Sequence, residues 1–500
     1  MSEACYTCRR RHIQCDRSQV PCLKCQKAGL ECLDRRPIRW VQGVAIRGGM
    51  RGRLYQDPSV CLKPVEGIET RPTPPNGIPQ QRTTGFSKAS DAVPSSLTLG
   101  NVPMFMEDTA LSRLDRSSRY YLDYYNDRIC QLFIVYDSPN NPFRSLIPLA
   151  LSEGVLLDAV LALAARHRAN FEQPFSTSDF ETFPSVDTQE ALRFKYRAIQ
   201  GLSRALSGGS TYQDATVATV FLLVFLDLLE SGCDRWNYHL EGAKSLMALI
   251  PSHDPGRTIQ RIRHFITKQV HLIESLGATF VRPQLLSKSE TIDESANLLQ
   301  DVVEESFLGC PEYILTAVQF LSLQRDIIAN GCMSDQAPIE DIIAVFDAVK
   351  EFDCYTWAAS LRQESATRNV DDLCRLARSY QLGAWLYGQR VLDALQHEQT
   401  GQEPVLFELI SIINSLKHGS KILKCILWPI TIAGLECHTQ SQRDILIQAL
   451  EQFWLDTRCL NVTNAAKILQ SYWRKIEGTK VVASDWIFDI GRLSQDWLLI

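Results

Sequence analysis

From about residue 111 onward, apolar residues recur three and four positions apart, and strand-like alternation is scarce. This pattern predicts helices over residues 111–135, 153–170, 188–207, 212–230, 236–250 and 258–276. Further helices are predicted over 311–330, 338–352, 371–398, 404–416, 420–437, 443–454 and 463–476. Pro142, Pro148, Pro251, Pro283 and Pro338 are read as breaks between them. Short connections and no fixed repeat period predict one large all-α domain over 111–500, and a regular solenoid is not supported. The most apolar stretch, residues 217–229, includes Asp227 and falls short of the roughly 20 residues that span a membrane. No membrane partner is expected.

The periodicity stops upstream of residue 111. Residues 56–110 hold eight of the 22 prolines, among them Pro72-Thr73-Pro74-Pro75, with many Ser, Thr and Gln. Such a composition cannot bury a core and predicts a disordered linker. Before it runs Arg35-Arg36-Pro37-Ile38-Arg39-Trp40, then Arg47-Gly48-Gly49-Met50-Arg51-Gly52-Arg53. Basic residues mixed with glycine suit an arm that follows a phosphate backbone, and equally suit a solvated linker or import signal. No run of heptads follows Cys32, so a dimer would have to form through the large domain.

The first 32 residues are patterned by cysteine rather than by hydrophobicity. They read Cys5-x2-Cys8-x6-Cys15-x6-Cys22-x2-Cys25-x6-Cys32, one spacing written twice. Two Cys-x2-Cys pairs are a strong metal signature, because each pair can set two thiolates on one tetrahedral zinc. Each half offers three sulfurs where a closed structural zinc takes four. Two zinc ions therefore share six sulfurs most simply as a binuclear cluster in which two thiolates bridge. The other ten cysteines are scattered singly, as in a protein kept reduced inside the cell.

Charge sharpens that picture. Residues 1–55 carry twelve Lys/Arg against four Asp/Glu, so the rest of the chain holds −13 within an overall −5. A basic head on an acidic body points to an anionic partner at the cysteine region. Between Cys8 and Cys15 stands Arg9-Arg10-Arg11-His12-Ile13-Gln14, and Lys24 and Lys27 flank Cys25. Three arginines exceed what two zinc ions with six thiolates need for neutralisation, so contact with phosphates or bases is expected.

Ala4-Cys5-Tyr6-Thr7-Cys8-Arg9-Arg10-Arg11-His12-Ile13-Gln14-Cys15-Asp16, followed by Pro21-Cys22-Leu23-Lys24-Cys25 and Cys32, resembles the fungal zinc binuclear cluster DNA-binding domain. The resemblance implies zinc ligands Cys5, Cys8, Cys15, Cys22, Cys25 and Cys32, with Cys5 and Cys22 bridging two ions. It also implies that the first helix reads a short GC-rich triplet in the major groove, with Arg9, Arg10, Arg11, His12 and Gln14 at or near bases. Lys24, Lys27, Arg35, Arg36 and Arg39 would meet phosphates. His12 and Gln14 replace the Lys or Arg usual in that family.

In the large domain, the apolar run Ala215 to Leu226 leads into Trp236-Asn237-Tyr238-His239-Leu240-Glu241-Gly242-Ala243. Together with Asn141-Pro142-Phe143 and Ala164-Ala165-Arg166-His167-Arg168-Ala169, this resembles the fungal-specific transcription factor regulatory domain. Trp236 and His239, three apart, are expected to pack on the preceding helix. The C-terminal mixture of acids and large apolar residues around Trp486 and Trp497 is expected to pack as a final helix; acidic-hydrophobic segments also recruit coactivators.

The expected organisation is a zinc cluster module over 1–40 with a basic arm to about 55, a linker over 56–110 and the helical regulatory domain. The implied function is a nuclear, sequence-specific DNA-binding transcription factor acting on RNA polymerase II genes. The expected partners are double-stranded DNA, a second copy of the chain and coactivators. No phosphate-cradling loop, His-Glu-x2-His helix or Gly-x-Ser-x-Gly elbow is present, so no catalytic residue is assigned. The alternative is a zinc-thiolate protein-interaction or redox-sensing regulator that does not read DNA.

Overall fold

A computed structural model describes residues 5, 7–8, 11, 13–16, 22–29, 32, 111–175, 185–207, 213–233, 236–250, 256–281, 306–331, 338–362, 369–417, 421–477, 486–489 and 496–500. The linker, the arm over 35–53, Pro251 and Pro283 lie outside the described residues. Two compact units separate, Met1–Leu97 and Thr98–Ile500. In the first, helix α1 (Leu23–Lys27) runs from Cys22. The second is built of helices, and its one β pairing among the described residues is an isolated bridge between Cys233 and Trp497.

The second unit begins with α2 (Arg116–Tyr124), which continues through a π turn over Tyr125–Ile129. Then come α3 (Pro142–Ser152), α4 (Gly154–Ala169), α5 (Val186–Ser207), α6 (Asp214–Glu230), α7 (Trp236–Leu249) and α8 (Arg257–Gly277). The remainder comprises α9 (Glu312–Asn330), α10 (Ile339–Glu351), α11 (Cys354–Arg362), α12 (Val370–Gln396), α13 (Glu403–Leu416), α14 (Leu427–Glu436), α15 (Gln440–Thr457), α16 (Leu460–Glu477) and α17 (Trp486–Asp489).

Two helices organise this unit. α6 is apolar on all sides, as a helix enclosed by others must be, and it is covered by α4, α7, α8 and α16. Phe221 and Phe225 on α6 meet Phe133, Phe143, Phe265 and Phe307 edge-on or stacked, at centroid distances of 4.7–6.2 Å. α12 fills the same role further along, packed by α9, α10, α11, α13 and α14. Gly383 on α12 leaves room for the Trp428 ring, since a Cβ there would lie 2.7 Å from it; Tyr380 stacks on the same ring at 6.0 Å.

Pro338 stands just before α10, at a break as expected, whereas Pro142 and Pro148 behave differently from their sequence reading. Pro142 opens α3 instead of breaking a helix, because its fixed φ and missing N–H suit the first turn. Asn141 caps that turn, its side chain accepting the Phe143 N–H at 3.0 Å. Pro148 lies inside α3 on an exposed face, where the carbonyl it leaves without a partner can reach water. The helix expected over 420–437 is instead a 3-10 turn at Leu423–Cys425 followed by α14.

Buried polar groups fix the helix ends. Arg325, 2% exposed, donates to the carbonyls of Thr279 at 2.6 Å and Ala278 at 2.9 Å, placing a cation at the C-terminal end of α8. Trp236 donates from Nε1 to the Asp496 carbonyl at 3.1 Å, and the Leu498 N–H donates to Gly232 at 2.8 Å. Trp486, Leu498, Leu499 and Ile500 are buried, so the aromatic C-terminal segment packs on the domain. His239 packs beside α6 with Nε2 3.6 Å from the buried Asp227 carboxylate.

His167 on α4 is buried between the Tyr124 hydroxyl at 2.8 Å and the Thr457 carbonyl at 3.1 Å. Nε2–H donates to that carbonyl, which leaves Nδ1 to accept from Tyr124. Burial, with Arg128 and Arg458 nearby, lowers its pKa from 6.5 to about 4 despite the Thr457 bond. Below pH 6.5 the unfolded chain takes up a proton that the folded chain refuses, so stability falls as pH drops toward 4. This group alone is expected to cost about 2 kcal/mol between pH 8 and pH 5. Urea denaturation at both pH values checks it: His167→Gln should shrink the pH difference by that amount, and an unchanged difference would refute the assignment.

Candidate metal centre

Among the described residues of the first unit the cysteines supply the interior. Cys5, Cys8, Cys22 and Cys25 are each 1% exposed, Cys15 and Cys32 pack against them, and they form a cluster of their own. No other buried apolar side chain joins that cluster among the described residues. The sequence repeat reappears as repeated geometry. The Cys8 N–H donates to Cys5 Sγ at 3.4 Å, and the Cys25 N–H donates to Cys22 Sγ at 3.4 Å.

The six sulfurs fall into two overlapping groups of four. One holds Cys5, Cys8, Cys15 and Cys22, the other Cys5, Cys22, Cys25 and Cys32, with all sulfurs of a group within 4.8 Å of one another. Cys5 and Cys22 belong to both. Within these groups the Cys5–Cys22, Cys5–Cys25 and Cys8–Cys22 sulfurs stand 3.7–3.9 Å apart. A zinc–sulfur bond of about 2.3 Å gives a tetrahedron with edges of about 3.8 Å, so the donor set and spacing fit zinc. Zinc ions held by these two groups would share Cys5 and Cys22, use every thiol and keep no position open.

The two thiols common to both groups each accept a backbone N–H. Burial raises the Cys5 thiol, but the Cys8 N–H and neighbouring thiols outweigh it and leave its pKa below the usual value. The Cys25 N–H, against burial, lowers Cys22 as well. Burial pushes Cys8 well above its ordinary value and Cys25 up to about 12.

Short helical turns leave the cluster at equivalent places. The Arg11 and Ile13 N–H groups both donate to the Cys8 carbonyl at 3.1 Å. α1 carries Lys24 and Lys27 exposed on one face and Cys25 buried on the other. Gly29, with φ +60°, ends that turn in the left-handed region, which glycine adopts without strain. The Leu23 N–H donates to Asp16 Oδ2 at 3.1 Å, tying the segment after Cys15 to the start of α1. Sequence reading missed that tie; its one signal was an acid directly after a ligand cysteine.

Of the residues expected to meet DNA, Arg11, Gln14, Lys24 and Lys27 are exposed around the buried sulfurs. Arg9, Arg10, His12, Arg35, Arg36 and Arg39 lie outside the described residues.

The comparisons with known proteins agree with this centre. Residues 3–40 match the fungal Zn(2)-Cys(6) binuclear cluster domain, which binds two zinc ions. Residues 120–500 match the fungal specific transcription factor domain. A similar protein, the acriflavine sensitivity control protein acr-2 of Neurospora crassa, is 22% identical across 95% of this chain and 92% of its own length. No solved structure matches. With the second domain covering most of its length and the first coinciding with its thiol cluster, the chain belongs to the fungal-specific transcription factor family that carries a binuclear zinc cluster.

Proposed function

We propose that the chain is a nuclear, sequence-specific DNA-binding regulator of RNA polymerase II transcription. The observation that carries this reading is a closed six-thiol cluster with exposed cations on the short elements leaving both of its halves. Zinc closed by four thiolates offers no open position for catalysis, so its role is to fix the chain around it. The segment Arg9–Gln14 enters the major groove and reads a GC-rich triplet, with Arg11 donating to a guanine edge. Lys24, Lys27, Arg35, Arg36 and Arg39 hold phosphates and set the register. His12 and Gln14 carry less charge than the family's usual residues, so readout rests on the arginines.

One base-reading module gives limited discrimination, and a second half-site supplied by a second copy raises it. The acidic helical domain joins the copies and meets coactivators.

Two substitutions separate base readout from phosphate binding. Arg11→Ala is expected to weaken binding to the selected site by about 1–3 kcal/mol while leaving random DNA little affected. Lys27→Ala is expected to weaken both alike and to reduce the salt slope by about one. Fluorescence anisotropy titrations against both DNAs at several salt concentrations measure this. Equal losses on both DNAs for Arg11→Ala would contradict base reading.

A further inference from the structure

We infer that the surface around Phe171 is a docking site for an acidic peptide of a partner protein, one with apolar side chains between its carboxylates. Phe171 stands in a 3-10 turn, Asn170–Glu172, directly after α4. Its ring is 47% exposed, and Tyr120 on α2 is 48% exposed. Neither packs into the core of the unit. An aromatic run joins the two. Tyr120 meets Tyr124 at 6.4 Å, Tyr124 meets His167 at 5.8 Å, and His167 meets Phe171 edge-on at 5.5 Å. Three arginines border this run. The Arg458 guanidinium lies 5.0 Å from the Phe171 ring centre and 5.5 Å from that of Trp454, and the Arg168 guanidinium lies 6.0 Å from Phe171. Arg128 is exposed in the π turn that follows α2. Its charge reaches the same pair of side chains. Burial lowers the pKa of His167 and Arg128 and Arg458 add to that, while burial raises Tyr124 and Arg168 and Arg128 oppose it.

The unit supplies these cations with little to pair with. Arg128 and Arg458 make no side-chain hydrogen bond or ion pair among the described residues, and the buried Nε of Arg458 has no acceptor. Arg168 has one acid in reach, Asp187, 3.7 Å from its Nε, and that carboxylate already accepts the Tyr121 hydroxyl at 2.6 Å. Arg168 and Arg458 also offset the C-terminal dipoles of α4 and α15, which engages their charge but not their N–H groups. A guanidinium held on an aromatic ring still offers its N–H edge to a planar carboxylate. The exposed rings then select among acidic partners. Duplex DNA brings phosphates but no apolar side chain, and the chain beyond residue 55, at −13, repels it. A short peptide of acidic and apolar residues brings both groups and touches the local patch alone.

The test is a fluorescence anisotropy titration of the full zinc-loaded chain against a short labelled peptide that alternates Asp and Glu with Phe and Leu. A dissociation constant on the order of 10–100 μM is expected. The same peptide with Asn and Gln for its acids, or with Ala for Phe and Leu, should bind at least about fivefold more weakly. Arg128→Gln and Arg458→Asn should each weaken the acidic peptide by about three- to tenfold, with circular dichroism unchanged. Asparagine tolerates the left-handed φ of 51° at position 458, and Arg128 is exposed with no side-chain bond to lose. Arg261→Gln, which removes an exposed arginine of α8, should bind like wild type. Excess random duplex should leave the peptide bound. Four outcomes would each overturn the proposal: no binding up to about 1 mM, an Ala peptide that binds as well, arginine variants that lose no more than Arg261→Gln, or displacement by duplex. The last would make the patch a phosphate site instead. None of these residues belongs to the first unit, so failure here leaves the DNA reading standing.

Discussion

Cys22→Ala is expected to abolish specific DNA binding and to release zinc, while the helical unit stays folded. Cys22 is one of two thiols common to both four-sulfur groups, so its loss breaks both tetrahedra rather than one. Its sulfur also caps α1 by accepting the Cys25 N–H, and its own N–H donates to Cys32 Sγ at 3.4 Å. Among the described residues of the first unit no apolar side chain packs with the cluster, so none of them takes over when the metals leave. Metal binding energy in such a small module is folding energy. Affinity for the selected site should fall at least about a thousandfold, to the level of random DNA. Zinc content should drop below two per chain, and chelation of the wild-type chain should reproduce the loss. Far-ultraviolet dichroism should change little, because all the described helices but the five-residue α1 belong to the second unit. Retention of two zinc ions and specific binding by Cys22→Ala would refute the shared-thiol arrangement.

The second large effect lies in the helical unit. Arg390 on α12 is 3% exposed and sits between two buried carboxylates. Its Nε and Nη2 donate to Glu436 at 2.9 and 2.6 Å, and Nη1 donates to Asp393 at 2.8 Å and the Thr400 carbonyl at 3.0 Å. Trp486 Nε1 donates to the same Glu436 at 2.6 Å, so the ion pair also docks α17. Arg390→Met would leave two like charges buried side by side with no cation between them. Breaking a buried pair from one side costs about 3–5 kcal/mol. Urea denaturation should show a loss of that size, and limited proteolysis should cut near residue 486 sooner. Glu436→Gln keeps an acceptor for Trp486 and should cost less. A loss under about 1 kcal/mol for Arg390→Met would show that the pair contributes little beyond its own desolvation.

Helices were legible wherever an apolar stripe ran for several turns. The expected 153–170 and 236–250 match α4 and α7 to within one residue at each end. α3 was missed because Pro142 and Pro148 were read as breaks, although proline at the first position favours a helix. α11, nine residues long, shows too few turns for periodicity to register. The buried Arg390–Asp393–Glu436 group was invisible for another reason. Arg390 and Asp393 share a helix face, but Glu436 joins them only through the packing of α14 on α12. At the N-terminal end the reverse holds. Zinc imposes ligand distances so short that sequence spacing alone brings the six cysteines together. Asp16 escaped notice because its role is a backbone tie, not a ligand bond.

The central claim is that two zinc ions on six shared thiolates present a basic segment that reads DNA. It is tested most directly by selecting bound sites from random duplexes with the zinc-loaded full chain, while counting zinc per chain in the same preparation. The account predicts two zinc ions per chain, recovery of a GC-rich triplet, and its appearance in pairs at fixed spacing. A zinc-loaded chain that enriches no sequence, or that enriches the same sequence after its zinc is removed, would contradict it.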